Sequence, residues 1–266
     1  MSITQGTVLI TGASSGIGAI YADRFAKRGH DLVLVARDAA RMETLAERLR
    51  SETGVAIEII PADLTADADV AKIEARLAQG DVGILVNNAG MSLNGSLLEN
   101  GPENIGRIIA LNITAPTRLA AAAAKAFVAQ GEGAVVNIAS VLALAPEMFD
   151  GIYSGTKAHL LNLSQAMSAQ LSPQGIYTQA VLPGATRTEI WERSGKDVDS
   201  FPADMVMDVN DLVDAALVGF DRRETVTIPP LADISQFDAM QAARAAMGPN
   251  LSKKAVAERY RVSETV

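Results

Sequence analysis

Thr7-Val8-Leu9-Ile10-Thr11-Gly12-Ala13-Ser14-Ser15-Gly16-Ile17-Gly18 is the stretch on which the fold turns. A β-branched run of strand length ends in a glycine-rich turn and passes straight into a helix-forming segment. In such a turn Gly12 allows the tight bend, Gly16 lets the backbone approach a phosphate, and Gly18 lets helix and strand pack closely. The helix start then offers unpaired N–H groups and the positive end of its dipole, which suits a pyrophosphate. Gly12, Ser14, Ser15, Gly16, Ile17 and Gly18 are therefore the candidate phosphate-loop residues. The spacing is G-x-x-x-G-x-G rather than G-x-G-x-x-G. The same residues also spell Gly12-x-Ser14-x-Gly16, the pattern of a hydrolase nucleophile elbow. That alternative lacks parts. Too little chain precedes Ser14 to supply an oxyanion loop, His30 falls at the opposite end of the expected sheet, and His159 lies inside an expected helix.

Outward from this loop, short apolar runs recur at Asp31–Arg37, Val55–Pro61, Gly83–Asn87, Gly133–Ser140, Gly175–Leu182 and Thr225–Pro229. Runs such as Leu32-Val33-Leu34-Val35 have no polar face and are expected to be buried on both sides. Between them lie helix-length stretches with apolar residues three or four apart, such as Val70, Ile73 and Leu77. Gly29, Gly54, Gly80 and Gly131 each close one such stretch. Strand–helix alternation with buried strands predicts right-handed βαβ units and a seven-stranded parallel sheet with helices on both faces. No linker or repeat divides the chain, so one α/β domain over 1–266 is expected, with an extension from about residue 231.

Composition narrows the function classes. Lys and Arg total 23 against 31 Asp and Glu, a net charge of −8, which argues against nucleic acid or an anionic membrane as the main partner. There is no cysteine and only two histidines, so thiol nucleophiles, cysteine-based zinc sites and three-histidine metal sites are excluded. No apolar run approaches the ~20 residues of a membrane span and no secretory signal opens the sequence, so a cytoplasmic location is expected.

Two places carry the chemistry. The second strand ends in Ala36-Arg37, where a dinucleotide fold that binds a ribose 2′-hydroxyl usually has an acid. A guanidinium forks onto a 2′-phosphate, whereas alanine cannot bind a hydroxyl. NADP is therefore favoured over NAD, with Asp38 expected to cap the next helix; a one-residue shift would bring Asp38 to the ribose and reverse the preference. Tyr153-x-x-x-Lys157 opens a helix-forming stretch that runs to Leu171, and the i, i+4 spacing puts both side chains on one face. A phenol titrates at ~10, and an ammonium ~4 Å away at an effective dielectric of ~20 would supply the ~4 kcal/mol needed to reach ~7. A phenol so tuned exchanges a proton with a carbonyl oxygen as hydride moves at carbon. Ser140 follows the strand Val135–Ala139, at the sheet edge where ligands bind.

With these residues the sequence resembles the short-chain dehydrogenase/reductase family. The matches run in order: Thr11-Gly12-x-x-x-Gly16-Ile17-Gly18, Asp63-Leu64, Asn87-Asn88-Ala89-Gly90, Asn112, Ser140, Tyr153-x-x-x-Lys157 and Pro183-Gly184-x-x-x-Thr188. The resemblance implies a Rossmann-type doubly wound fold and an NADP-dependent oxidoreductase acting on a carbonyl or secondary alcohol. It implies Tyr153 as general acid/base, and Lys157 as the group that lowers its pKa and holds the nicotinamide ribose. Ser140 would bond the substrate carbonyl, and Asn112 would hold a water linking Lys157 to solvent. Asp63 and Leu64 would contact adenine, and Asn87, Asn88, Ala89 and Gly90 would line the adenine-side ribose and steady the central strand. Pro183, Gly184, Thr186 and Thr188 would cover the nicotinamide and pyrophosphate. A nucleotide sensor without turnover, or an NAD-preferring alcohol dehydrogenase, is the alternative.

The substrate side is expected from Val141–Asp150, Ala185 and a lid at about 187–202. Their larger side chains, Leu142, Leu144, Met148, Phe149, Trp191 and Phe201, favour an apolar ketone or alcohol. The end of the chain departs from the family pattern. A helical stretch with Ile234, Phe237 and Met240 and a basic tail with Lys253, Lys254, Arg259 and Arg261 replace the usual segment, and a homodimer or homotetramer is expected.

Overall fold

The computed structural model describes residues 6–95 and 97–261. Its contacts divide the chain into a larger unit ending at Pro230 and a smaller one beginning at Leu231.

The larger unit alternates strands and helices from its start. They run β1 (Thr7–Thr11), α1 (Gly16–Lys27), β2 (Leu32–Ala36), α2 (Ala39–Thr53), β3 (Ile57–Pro61), α3 (Asp67–Leu77), β4 (Val82–Asn87) and α4 (Pro102–Ile109). A single π turn, Ala110–Thr114, joins α4 to α5 (Ala115–Gln130), and β5 (Gly133–Ile138), α6 (Gly151–Leu171) and β6 (Ile176–Val181) follow. A short α7 (Ile190–Arg193), α8 (Val209–Asp221) and a two-residue β7 (Val226–Thr227) complete the unit. All neighbouring strands are parallel, in the order β3-β2-β1-β4-β5-β6-β7. Several observed strands are a residue or two shorter at an end than the apolar runs suggest, because the ladder stops where the chain turns away from its neighbour. Ser140 consequently lies beyond β5, where it caps a short turn (Val141–Ala143) by accepting from the Leu142 N–H at 3.2 Å.

The sheet is covered twice, as its uninterrupted apolar strands require. Successive side chains point to opposite faces. Val8, Ile10, Leu32, Leu34, Ile84 and Val86 join Tyr21, Phe25, Met42 and Phe220 in one buried cluster. Leu9, Val33, Val35 and Leu85 join Ile73, Leu77, Leu119 and Phe127 in the other. Helix ends follow their local chemistry. Asp38 caps α2 by accepting from the Arg41 N–H, and Gly54 closes that helix in the left-handed conformation. Asp150 caps α6 by accepting from Ile152 and Tyr153 N–H groups, which fixes the helix start two residues before Tyr153.

The strand order reverses between β1 and β4, so the loops leaving these two strands diverge and open a crevice at the carboxyl edge of the sheet. The smaller unit contains α9 (Ser235–Met247) and short turns after it. Phe237 is buried, whereas Ile234 and Met240 are exposed. No helix among the described residues is long and apolar enough to cross a membrane.

Candidate active site

The crevice is a cavity of about 1210 Å³, and every residue lining it belongs to the larger unit. Gly12, Ser14, Ser15, Gly16, Ile17, Arg37, Asp63, Leu64, Ala89, Gly90, Ser140, Tyr153, Lys157, Pro183, Gly184, Thr186 and Thr188 all face it. Residues spread over more than 170 positions of sequence thus meet at one edge of the sheet.

The phosphate loop is held from below by β4. Thr11 Oγ1 accepts from the N–H groups of Asn88 and Ala89, both at 3.0 Å, and Asn88 Nδ2 donates to the Thr11 carbonyl at 2.9 Å. The close approach explains Gly18: a Cβ there would sit 2.4 Å from the Gly12 carbonyl oxygen. Ser15 is the N-cap residue of α1, but its hydroxyl makes no cap bond, and the first turn of α1 carries no acid. The helix start therefore presents its N–H groups and dipole to an anion. The size of the cavity, the glycine cradle and this electropositive floor fit a dinucleotide.

Asp38 caps α2, as the sequence suggests. It also borders the cavity, but its carboxylate accepts from the Arg41 N–H at 3.0 Å and pairs with the Arg41 guanidinium at 3.5 Å. Arg37 lines the cavity and makes no ion pair among the described residues. Asp63 accepts from Thr65 N–H and Oγ1, at 3.0 and 2.8 Å, and these bonds hold its carboxyl below the usual range despite partial burial, with Arg37 and Arg107 adding attraction.

On the catalytic side, Ser140 and Tyr153 both line the cavity, and the Ser140 hydroxyl accepts from the Leu142 N–H at 3.2 Å and donates to the Pro183 carbonyl at 3.5 Å. Lys157 is buried and donates to the Ile138 carbonyl at 2.8 Å, with its Nζ 5.6 Å from the centre of the Tyr153 ring. This corrects the expected electrostatics. Burial pushes the Tyr153 phenol up to about 12, only partly opposed by Ser140, and brings Lys157 down to about 8. At that separation, with the ammonium turned to a carbonyl, Lys157 does not bring the phenol toward neutrality in this arrangement; desolvation wins.

Three candidates stand behind the wall instead of in it. Gly18 is in the helix–strand contact. Asn87 is buried and donates to the Pro116 carbonyl and to Asn137 Oδ1, and Asn137 in turn donates to Ser164 of α6. It braces β4, β5 and α6 and does not line a ribose site. Asn112 sits in the π turn, where the Ala115 N–H reaches back five residues to the Ala110 carbonyl. Its amide accepts from Met91 N–H at 2.9 Å and donates to Met91 O and Thr156 Oγ1, at 2.8 and 3.1 Å. Its side chain thus clips the loop after β4 to the helix that carries Tyr153 and Lys157. A widened turn at such a junction is common at functional sites.

The substrate side differs most from expectation. Of the six large apolar residues named there, only Trp191 lines the cavity. Phe149 and Phe201 pack edge-on or tilted against Trp191, and Met148 is exposed. Ala185 does not line it either; its carbonyl instead accepts from the Met207 N–H. The Trp191 indole N–H donates to the Thr186 carbonyl at 2.7 Å, fixing the ring. The remaining wall comes from Met91, Ser92, Leu93 and Asn94 after β4, and from Ile190, Ser194 and Gly195. Asn104 and Arg107 of α4 and Glu189 and Arg193 were also not apparent in the sequence. The only signal for the first group was its place directly after a strand at the carboxyl edge.

Glycine loop, sheet-edge crevice and Ser–Tyr–Lys cluster together define an oxidoreductase of the short-chain dehydrogenase type. The chain belongs to that family: the profile described as short chain dehydrogenase matches residues 6–199. A short-chain dehydrogenase from Sphingobium yanoikuyae, solved in complex with NADPH, is 58% identical over 97% of this chain and 100% of its own, with a TM-score of 0.94. The bulky-bulky ketone specific alcohol dehydrogenase from Comamonas testosteroni is 51% identical, covering 96% and 98% of the two chains, with a TM-score of 0.89. Human 17-beta-hydroxysteroid dehydrogenase type 3 is 33% identical over 198 residues, 74% of this chain, and the match spans 64% of that longer protein.

Proposed function

We propose that the protein is an NADP(H)-dependent oxidoreductase that moves a hydride between the nicotinamide and a ketone or secondary alcohol with apolar substituents. The observation that carries this reading is that Ser140, Tyr153 and Lys157 line the same cavity as the glycine loop and Arg37. NADP(H), when bound, supplies the hydride donor or acceptor. Gly12 to Ile17 would receive its pyrophosphate, Arg37 its 2′-phosphate, and Lys157 its nicotinamide ribose.

The chain's own groups handle the proton. The Ser140 hydroxyl and the Tyr153 phenol would both donate to a carbonyl oxygen placed beside them, holding and polarising it. Tyr153 gives it a proton during reduction and takes one back during oxidation. A phenol kept protonated by burial suits the reductive direction. Lys157, charged at neutral pH, balances the phenolate that remains. Trp191, Met91, Leu93 and Ile190 give the substrate side an apolar lining, which supports a ketone with bulky groups on both sides; the Comamonas relative's name points the same way. The same reading makes the enzyme a cytoplasmic homodimer or homotetramer, with catalysis in the larger unit, checked by light scattering and cell fractionation.

An NAD-preferring enzyme is not favoured, because Asp38 is occupied by α2 and Arg41. Fluorescence titration with NADPH and NADH tests the cofactor, and tenfold tighter NADPH binding, about 1.4 kcal/mol, is expected. Turnover on paired panels of bulky and small ketones tests the substrate class; faster turnover of the small polar ones overturns it.

A further inference from the structure

Of the cations lining the cavity, Arg193 is the one that touches the phosphate loop. Its Nη2 donates to Ser15 Oγ at 3.3 Å and to Glu189 Oε2 at 2.6 Å. Glu189 also accepts twice from Arg41 Nη1 of α2, at 2.9 and 2.7 Å, and these contacts hold its carboxyl below the usual range. The guanidinium of a residue carried beyond β6 is thus fixed over the N-terminus of α1 by a carboxylate that is itself tethered to α2. Thr11 to Gly18 contains no charged side chain, so without Arg193 an anion there would meet only backbone N–H groups and the helix dipole. Arg37 just after β2, Arg107 of α4 and Lys157 of α6 also face the cavity, and among the described residues no hydrogen bond joins any of them to the loop.

We propose that Arg193 is a further cofactor-binding residue, meeting the pyrophosphate above the phosphate loop, and that Glu189, anchored by Arg41, is its positioning residue. A guanidinium suits this task, since its planar fork matches two phosphate oxygens. The proposal rests on the dinucleotide reading above and adds to it a specific division of labour. Arg37 serves the 2′-phosphate and Arg193 the pyrophosphate, so each variant should weaken a different fragment of the cofactor.

Calorimetric titration of the full chain with two fragments tests this without turnover. ADP-ribose carries the pyrophosphate and no 2′-phosphate; 2′-AMP carries the reverse. Arg193→Met is expected to weaken ADP-ribose about tenfold, as for loss of one charge-assisted contact, and to leave 2′-AMP within about twofold. Arg37→Met is expected to show the opposite pattern. Arg193→Lys should recover part of the loss, and Glu189→Gln should weaken ADP-ribose less than Arg193→Met does, with Glu189→Asp recovering part of that. If the parent binds both fragments and Arg193→Met leaves ADP-ribose unchanged, or weakens both fragments equally, the assignment of Arg193 is overturned and the cofactor reading stands. If the parent binds neither fragment, both fall together.

Discussion

The two walls of the cavity are built to different standards. One consists of strand ends and the turns directly after them, pinned by buried hydrogen bonds: Thr11 to Asn88 and Ala89, Asn112 to Met91 and Thr156, Lys157 to Ile138. Thr11, Asn112 and Lys157 are each at most 5% exposed. The other wall, residues 186–207, is made of one short helix and two single turns, tied by the Thr186–Met207 bridge and by ion pairs such as Arg187–Asp199 and Arg193–Glu189 whose members are 38–69% exposed. Exposed pairs of this kind contribute little each, about 0–1 kcal/mol, and are screened by salt. On the proposed function, chemistry would be fixed in the first wall, and shape selection and cofactor coverage left to the second. Regions of few buried contacts are where opening costs least.

The sharpest way to break this contrast is Tyr153→Phe. Turnover should fall by about 10²–10⁴-fold, the scale of a lost acid/base group, while NADPH affinity measured by fluorescence stays within about twofold. Comparable loss of binding would mean that the rigid wall does not separate the two tasks. Gly18→Ala comes next. Its Cβ would press on the Gly12 carbonyl and on Asn88, so thermal unfolding should show a loss of about 1–3 kcal/mol, with weaker nucleotide binding in parallel.

Arg37→Ser is expected to cut the preference for NADPH over NADH by about tenfold, measured as the ratio of the two dissociation constants, with NADH binding itself little changed. Trp191→Ala then probes the looser wall. It should raise KM for bulky ketones several-fold and hardly change overall stability, and a large drop in melting temperature would show that this wall is as tightly built as the other.

The smallest effect concerns pH. Lys157 has a folded pKa of about 8, below its ordinary 10.5, because burial disfavours the charge. The unfolded chain therefore binds more protons than the folded one between these values, and stability should rise with pH across about 8 to 10. Tyr153 acts oppositely and later: raised to about 12, it removes stability as pH climbs above 10. Denaturant titrations of parent and Lys157→Met should differ in slope only in the lower window.

The rigid wall was also the legible one. Gly12, Gly16 and Ser140 are dictated by backbone geometry just past strand ends, and Tyr153 and Lys157 by the i, i+4 spacing on α6; such positions leave a fixed spacing in the chain. Arg193 and Glu189 fall inside the expected lid at about 187–202 without being singled out there, and the Met91–Asn94 segment left no spacing, because their place depends on which loops meet across the crevice. Phe149 and Phe201 are apolar but pack on the Trp191 ring, Phe149 on Tyr153 as well, instead of lining the cavity, a distinction that hydropathy does not encode. The Tyr153 ionisation was misjudged for a related reason: i, i+4 spacing fixes the shared helix face, not where a long lysine side chain turns or how dry the phenol becomes. Asn87 shows the same limit, since an asparagine at a strand end serves equally as a brace or as a ligand.

The π turn at Ala110–Thr114 has one more consequence. Helices advance 100° per residue, so a single surplus residue in a turn resets the phase of everything after it. Pro102–Ile109 and Ala115–Gln130 are in effect two helices of different phase spliced end to end, with Asn112 at the splice. Removing one residue there would leave a smoother helix whose first half could no longer meet α6 while its second half covers β4 and β5. The chain can exchange side chains along this stretch far more freely than it can change its length.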